Sequence, residues 1–413
     1  MFAIKTYIKN NILYPKRNNK FPDRPVSKIK IKAGLWGILN KVKNQKKYTG
    51  YGHLVTYPEK VAANAWKMLL PYNPNNLGNW SIKNLEPNHE TAKVERDLIL
   101  QMIDLYHGNK NELEGYVTTG GTEANIFSAW LGIKYIEKRG IERDKICLIK
   151  TSLTHYSIEK AADIVGVPTF IVPLNDKTWN MDAWGFEKEV ENSIKKGKKG
   201  FLVPLTLGYT VTGTNDPIKK ISRSIEKIKK KHRVEFFIWF DAALNGLIEP
   251  FLNNEFKPFS FCEIQTFLTD FHKFGFTPLP AGIILYRKEL RQLIEKPITY
   301  LEEKDNTLLG SRSGIAPVAC WAIINLWGKN GFKRKIYENL KYKYQFINKI
   351  KNNQNLQIIT NDNSLTCAIV VENKSYKFKW LSEVYGLNFK SENILFNSGK
   401  KNILRAKIHF LNH

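Results

Sequence analysis

Apolar positions along this chain follow two rhythms that alternate from Tyr116 onward. Short, nearly unbroken apolar runs give way to stretches whose apolar residues return every three or four positions. YVTT precedes a helix expected over about 122–138, ICLIK one over 157–165, TFIVPL one over 182–195, and FLVPLTL one over 216–231. EFFIWF, EIQTFLT and AGIILYR follow with little helix between them. Runs apolar on both faces suit strands covered on each side, and strand–helix alternation implies a mostly parallel sheet. The predicted class is α/β, with ligand chemistry expected at the carboxyl ends of the strands.

The flanks read differently. From about 55 to 107 the pattern is helical, notably in HETAKVERDLILQMIDLYHG, where Val94, Leu98, Ile99, Met102 and Leu105 share one face. Residues 1–55 read as an irregular basic lead-in, broken by Pro15, Pro22 and Pro25. Past about 330 come a helix near 333–349, LQIIT, TCAIVVE, a helix near 377–384 and AKIHFL, the pattern of a small α+β unit. The expected organisation is a lead-in (1–55), a large domain (56–330, opening with the helical segment 56–110) and a small C-terminal domain (331–413).

Composition narrows the class. The 413 residues are 43% apolar and 12% aromatic, enough for a substantial core and too much for a disordered chain. No run of eighteen apolar residues occurs, and the N-terminus lacks a secretory cleavage pattern, so a cytoplasmic protein with no transmembrane segment is expected. Cys147, Cys262, Cys320 and Cys367 are too far apart for a zinc pattern and read as reduced core residues. Charge is the unusual feature: 64 Lys and Arg against 38 Asp and Glu give +26. Thirteen of the basic residues fall in the first fifty positions against one acid, Asp23, and a second cluster runs from Lys219 to Arg233. Such charge attracts nucleic acid or an acidic membrane surface. No zinc-finger, RNA-recognition or helix-turn-helix signature accompanies it, so solvated lysine faces are the preferred explanation.

Four short motifs sit where the predicted strands end. Thr118-Thr119-Gly120-Gly121-Thr122-Glu123 joins a strand to a helix, where glycines let the backbone close on an anion and the helix start supplies free N–H groups. Thr119 and Thr122 offer hydroxyls; the plain alternative is a tight turn with Thr122 as an N-cap. Asp241, ending EFFIWF, has to be paired or face a ligand, because an isolated buried charge is costly. One use is to keep a pyridinium nitrogen protonated, with the small Ala243 leaving room for a flat ring. Lys273, in DFHKF, sits among aromatic residues beside His272, where desolvation and a neighbouring cation would make it nucleophilic toward an aldehyde. His155, in THYS, stands in a turn where it can stack on a ring or serve as an ordinary structural histidine.

The order of these motifs resembles that of the group II pyridoxal-phosphate-dependent amino-acid decarboxylases, especially the histidine decarboxylases of this type and their plant serine decarboxylase relatives. The stretches that carry it are NLGNW, NHETAKVERDLIL, GYVTTGGTEAN, SLTHYSIEKAADIVG, PLTLGYTVTGTNDP, DAALNGLIEPF, HKF, PLPAGIILYRK and GSRSGIAP. The resemblance implies the type I fold of these enzymes, a mostly parallel seven-stranded sheet with a small C-terminal α+β domain. It implies pyridoxal 5'-phosphate, held covalently by Lys273, with Asp241 at its ring nitrogen and His155 stacked on the ring. Gly121, Thr122 and His272 would meet the phosphate, and Thr206 the ring oxygen. Ser311 would reach the phosphate of a neighbouring subunit in a homodimer, and Tyr300 would begin a lid and help return a proton to Cα.

Departures from the pattern surround the expected substrate pocket. Phe271 replaces a small residue before His272 and is expected to press on the lysine. Glu302 and Glu303 replace a Gly-Thr pair in the lid, and Trp80 follows Asn79 where relatives carry an acidic-proline turn. Histidine is the favoured substrate, with serine, aromatic and acidic amino acids behind it, the lid carboxylates being expected to disfavour the acidic ones if they face the site. A carbon–carbon lyase acting on a phosphorylated sphingoid base and a non-enzymatic basic scaffold are the alternatives. The intact set of Lys273, Asp241 and His155 argues against the scaffold.

Overall fold

The computed structural model describes residues 27–46, 56–78, 90–260, 264–299, 303–371 and 378–411. In chain order the elements are α1 (Lys28–Lys46), α2 (Lys60–Leu69), β1 (Asn75–Leu77), α3 (Glu90–Leu105), β2 (Leu113–Thr118), α4 (Gly121–Glu137), β3 (Ile146–Thr151), α5 (Tyr156–Val165) and β4 (Thr169–Val172). Then come α6 (Ala183–Lys195), β5 (Gly200–Thr206), α7 (Ile218–Lys231), β6 (Glu235–Asp241), β7 (Ile264–Thr269) and β8 (Gly282–Arg287). Three short strands follow: β9 (Lys296–Ile298), β10 (Glu303–Asp305) and β11 (Ser311–Ser313). The chain ends through α8 (Ile315–Ile350), β12 (Leu356–Thr360), β13 (Thr366–Val371), α9 (Lys379–Tyr385), β14 (Lys390–Phe396) and β15 (Gly399–His409).

The large sheet has seven strands in the order β2-β8-β7-β6-β5-β3-β4. The five from β7 to β4 are parallel, while β8 runs antiparallel to both β7 and β2. The strand period of two explains the apolar runs. Phe236, Ile238 and Phe240 of β6 enter the core on one face of the sheet, and Phe237 and Trp239 enter the core on the other. Each such side chain contributes about 1.5–3 kcal/mol by leaving water. The second sheet, β12-β13-β15-β14, is antiparallel and packs Ala406, Ile408 and Phe410 against Phe346 and Ile350 of α8.

Several expectations are corrected. The basic lead-in read as irregular contains a helix over Lys28–Lys46. The segment read as helical from 55 to 107 is two helices with β1 between them. The helix expected near 333–349 begins at Ile315 and crosses position 330, interrupted only at Gly328 (φ 54°). The strand β14 and the first half of β15 carry polar residues on one face and were not legible in the apolar pattern. Part of the basic cluster on α7 is neutralised, because Lys227 and Lys231 pair with Glu187 and Glu191 of α6.

A buried ion pair anchors the edge that carries β2. Arg312, on β11, meets Glu95 of α3, and both are almost fully enclosed. Glu95 also accepts from Asn76 Nδ2 and from the Val117 N–H, each at 2.7 Å. The arginine lies over the Tyr116 ring, 5.0 Å from its centroid. With several donors on the carboxylate, the cost of burying both charges is offset by their attraction.

Candidate active site

Five strand ends converge on one cavity of about 340 Å³. It is lined by Thr119 to Thr122 after β2, Leu153 and His155 after β3, Thr206 at the end of β5, Asp241 and Ala243 at the end of β6, and Asp270, His272 and Lys273 after β7. Parallel crossovers force this outcome, since each strand delivers its carboxyl end to the same edge of the sheet. The structure thus brings together Gly121, Thr122, His155, Thr206, Asp241, Ala243, His272 and Lys273. Ser311 is not among them: it is exposed on β11 and bonds Asn75 Nδ2 at 3.3 Å. Tyr300, Glu302 and Trp80 lie outside the described residues.

The loop after β2 leaves the start of α4 open to the cavity. Gly120 takes φ 145°, and a Cβ there would stand 2.9 Å from His272 Cε1, so only glycine fits. No side chain caps α4, which leaves its first N–H groups and the positive end of its dipole open to the cavity. The N-cap is Gly120 rather than Thr122. Thr119 is spent elsewhere, its N–H and hydroxyl both donating to Glu123 Oε2 at 2.7 and 2.8 Å.

Asp241 is held by a network that the short motifs did not reveal. Asn125 Nδ2 donates to Asp241 Oδ2 at 3.0 Å and to Ser157 Oγ at 3.0 Å, while Asn125 Oδ1 accepts from Trp239 Nε1 at 2.9 Å. Ser157 Oγ lies 2.8 Å from His155 Nδ1, which also accepts from the Ser157 N–H. A histidine whose Nδ1 accepts carries its proton on Nε2 when neutral. Burial lowers the His155 pKa; the Asp241 carboxylate opposes this, and Lys273 adds to it. Asn125 was within reach of the sequence, because it stands four residues after Gly121 and so on the same face of α4.

Around Lys273 the surroundings differ from expectation. Lys273 Nζ lies 3.0 Å from Asp270 Oδ2, so its neighbour is a carboxylate rather than the expected cation. His272 turns its Nδ1 to the Ala281 carbonyl at 2.7 Å, with Nε2 3.6 Å from the same Asp270 oxygen. Phe271 does not line the cavity with the lysine; it is fully buried in the core, where a Cβ on Gly275 would strike it. Thr56 Oγ1 donates to the Lys273 carbonyl and clamps the turn from outside. Asp216 acts at the opposite wall, accepting from the Thr206 N–H at 2.7 Å, the Met181 N–H at 2.9 Å and Tyr209 Oη at 2.9 Å. Its burial pushes the carboxyl up to about 6 against those three donors.

These residues fit a flat, phosphorylated aldehyde with a basic ring nitrogen. The open start of α4 suits a phosphate. The buried carboxylate of Asp241 suits a protonated ring nitrogen, and the Lys273 amine suits the aldehyde carbon. Asp270 Oδ1, buried without a hydrogen-bond partner among the described residues, leaves an acceptor beside the amine.

Comparison with known proteins points the same way. The pyridoxal-dependent decarboxylase conserved domain matches residues 91–371. A tryptophan decarboxylase from Clostridium sporogenes is 33% identical over 301 residues, 72% of this chain and 70% of the relative. A probable L-tyrosine/L-aspartate decarboxylase from Methanosphaera stadtmanae is 30% identical over 75% of each chain. A histidine decarboxylase from Morganella morganii is 28% identical, covering 72% of this chain and 75% of its own. A crystal structure of a single-residue mutant of L-methionine decarboxylase from Streptomyces sp. 590 superposes with a TM-score of 0.76 at 17% identity, over 95% of this chain and 94% of that one, a likeness of fold. On the matched domain and the identity to these relatives, the chain belongs to the pyridoxal-dependent decarboxylases and is a pyridoxal-phosphate-dependent amino-acid decarboxylase.

Proposed function

We propose that the cavity at the strand ends is the catalytic site, with Lys273, Asp241 and His155 as its working residues. The observation that carries this is the single cavity holding an amine, a buried carboxylate and an uncapped helix start. Bound pyridoxal phosphate supplies a conjugated ring that accepts the electron pair left as carbon dioxide departs. Lys273 would hold the cofactor through Nζ, while Asp241 would face the ring nitrogen and keep its proton in place. Gly121, Thr122 and His272 would hold the phosphate, Thr206 would sit near the ring oxygen, and Ala243 and His155 would flank the ring. His155 Nε2 is the ring atom free to hold or give a proton, since Nδ1 is occupied by Ser157. Tyr300, outside the described residues, would share with it the role of returning a proton to Cα, as the family resemblance implies.

Assembly and location belong to the same reading. Ser311 would complete the phosphate site of a second subunit in a homodimer. Its exposure outside its own cavity supports this, as do the exposed apolar residues Ile29, Leu35, Trp36 and Ile38 of α1. Sedimentation of a fully active monomer would refute it. Among the described residues no helix is long and apolar enough to cross a membrane, and Cys147, Cys320 and Cys367 are buried and unbridged. Both facts support a cytoplasmic location.

The reaction is the decarboxylation of an L-amino acid to its amine. Histidine, the substrate the sequence names first, stands beside serine, tryptophan, tyrosine and aspartate as a candidate. The assignment is tested by borohydride reduction of the cofactor-loaded enzyme followed by peptide mapping. The tag is expected on Lys273 and absent from Lys273→Ala; a tag on any other lysine overturns the site.

A further inference from the structure

Lys407 is a half-buried ammonium that the catalytic roles above leave unused. It lies on β15, where alternate residues face opposite sides of the small sheet. Ala406, Ile408 and Phe410 turn to α8. Lys407 therefore faces the other way, directly opposite Ala368 of β13. Ala368 and Val370 pack there against Leu153 and Tyr209, two residues that line the active-site cavity. The strand register thus sets Lys407 on the face of the small sheet that packs against the cavity wall at Leu153 and Tyr209, just outside the lining itself.

Its electrostatic setting is one-sided. Among the described residues the Lys407 ammonium has no ion-pair or hydrogen-bond partner. Arg405, two positions back on the same face, takes Glu392 for itself. The pKa of Lys407 is pushed below its ordinary value, first by burial and then by three other cations, Arg405, Lys390 and Lys273. Its charge is felt in turn at His155. A partly desolvated cation surrounded by cations is unfavourable unless an anion joins it.

We propose that Lys407 is a specificity-determining residue that receives a carboxylate at the far end of the substrate side chain. On this assignment the enzyme prefers an acidic amino acid, L-aspartate or L-glutamate, over neutral and cationic ones. The inference rests on the catalytic site assigned above and names its substrate class. The α-carboxylate is not the partner: it loses its charge as carbon dioxide leaves, so a salt bridge to it would stabilise the ground state more than the transition state. The cofactor phosphate is not the partner either, because its cradle at Gly121 and Thr122 is built from the helix start of α4. The lid carboxylates that spoke against an acid include Glu302, outside the described residues, and Glu303, whose backbone pairs with Ile298 on a separate ribbon.

The test is carbon dioxide release by the cofactor-loaded enzyme from L-aspartate, L-glutamate, L-histidine, L-serine, L-tyrosine and L-tryptophan. It is paired with calorimetric binding of succinate and glutarate. Wild type is expected to favour an acid and to bind the dicarboxylates. Lys407→Met should lower the acid-over-neutral ratio of kcat/KM by about thirtyfold and weaken dicarboxylate binding to a similar degree, as for loss of a desolvated charge partner. Lys407→Arg should retain most of both. A wild-type preference for neutral or cationic amino acids, or a ratio that Lys407→Met leaves unmoved, overturns the inference while the catalytic site stands. No carbon dioxide from any of these amino acids overturns the catalytic assignment and the inference together.

Discussion

Replacing Asn125 with leucine should damage stability and turnover together, because one amide ties three structural elements to the site. Leucine keeps the approximate volume and removes two donors and an acceptor. The Asp241 carboxylate loses a donor at 3.0 Å, the Trp239 indole loses its acceptor at 2.9 Å, and Ser157 loses the bond that orients it toward His155. A hydrogen bond to a charged group is worth about 1.5–3 kcal/mol and a neutral one about 1 kcal/mol, so losing one of the first kind and two of the second should cost about 4 kcal/mol. Turnover should fall about ten- to a hundredfold, the effect of letting a reacting group drift by about an ångström. Urea unfolding gives the first quantity and initial-rate assays with saturating cofactor give the second. Two comparisons isolate the cause. Ser157→Ala removes the hydroxyl's bonds to Asn125 and His155 but leaves those to Asp241 and Trp239, and should cost about 2 kcal/mol. Asn125→Asp keeps the shape and the acceptor for Trp239 but sets a carboxylate oxygen against Asp241, so like charges make it at least as harmful as leucine. An Asn125→Asp enzyme close to wild type in midpoint and rate would refute the reasoning, since the donor would then be irrelevant.

Other perturbations follow from the same geometry. The native His155 pKa lies below its ordinary 6.5, so just below 6.5 the folded state binds fewer protons than the unfolded chain. Stability therefore rises with pH through this window and is lost on acidification. His155→Phe should shrink the drop in urea midpoint between about pH 7.5 and about pH 5.5; an undiminished drop would show that another group is responsible. Arg312→Met should cost about 3–5 kcal/mol by stranding the buried Glu95 charge, whereas Arg312→Met combined with Glu95→Leu should recover much of it. Equal thermal midpoints for wild type and the single variant would contradict the buried pair.

Much of this protein was legible in its residues. The sheet was, because strands buried on both faces must be apolar throughout, and FLVPL and EFFIWF can be little else. Strand ends marked by Asp241, Lys273 and His155 were visible too, since polar groups stranded at the edge of apolar runs need partners. What the sequence alone could not supply were partnerships between distant segments. Asn125 meets Asp241 across 116 positions; helical spacing sets it on the face of Gly121, but nothing local names Asp241 as its partner. Phe271 looked like bulk against the lysine, yet the turn directs it into the core, because the chain reverses within a few residues there. Half of β15 was hidden by its lysines, although its register is what sets Lys407 on the sheet face shared with Ala368. Period and polarity along a chain report which face of an element is buried, and the sequence determined that much. Which buried faces and which charged ends come together depends on strand order and crossovers, and tertiary structure alone decided them.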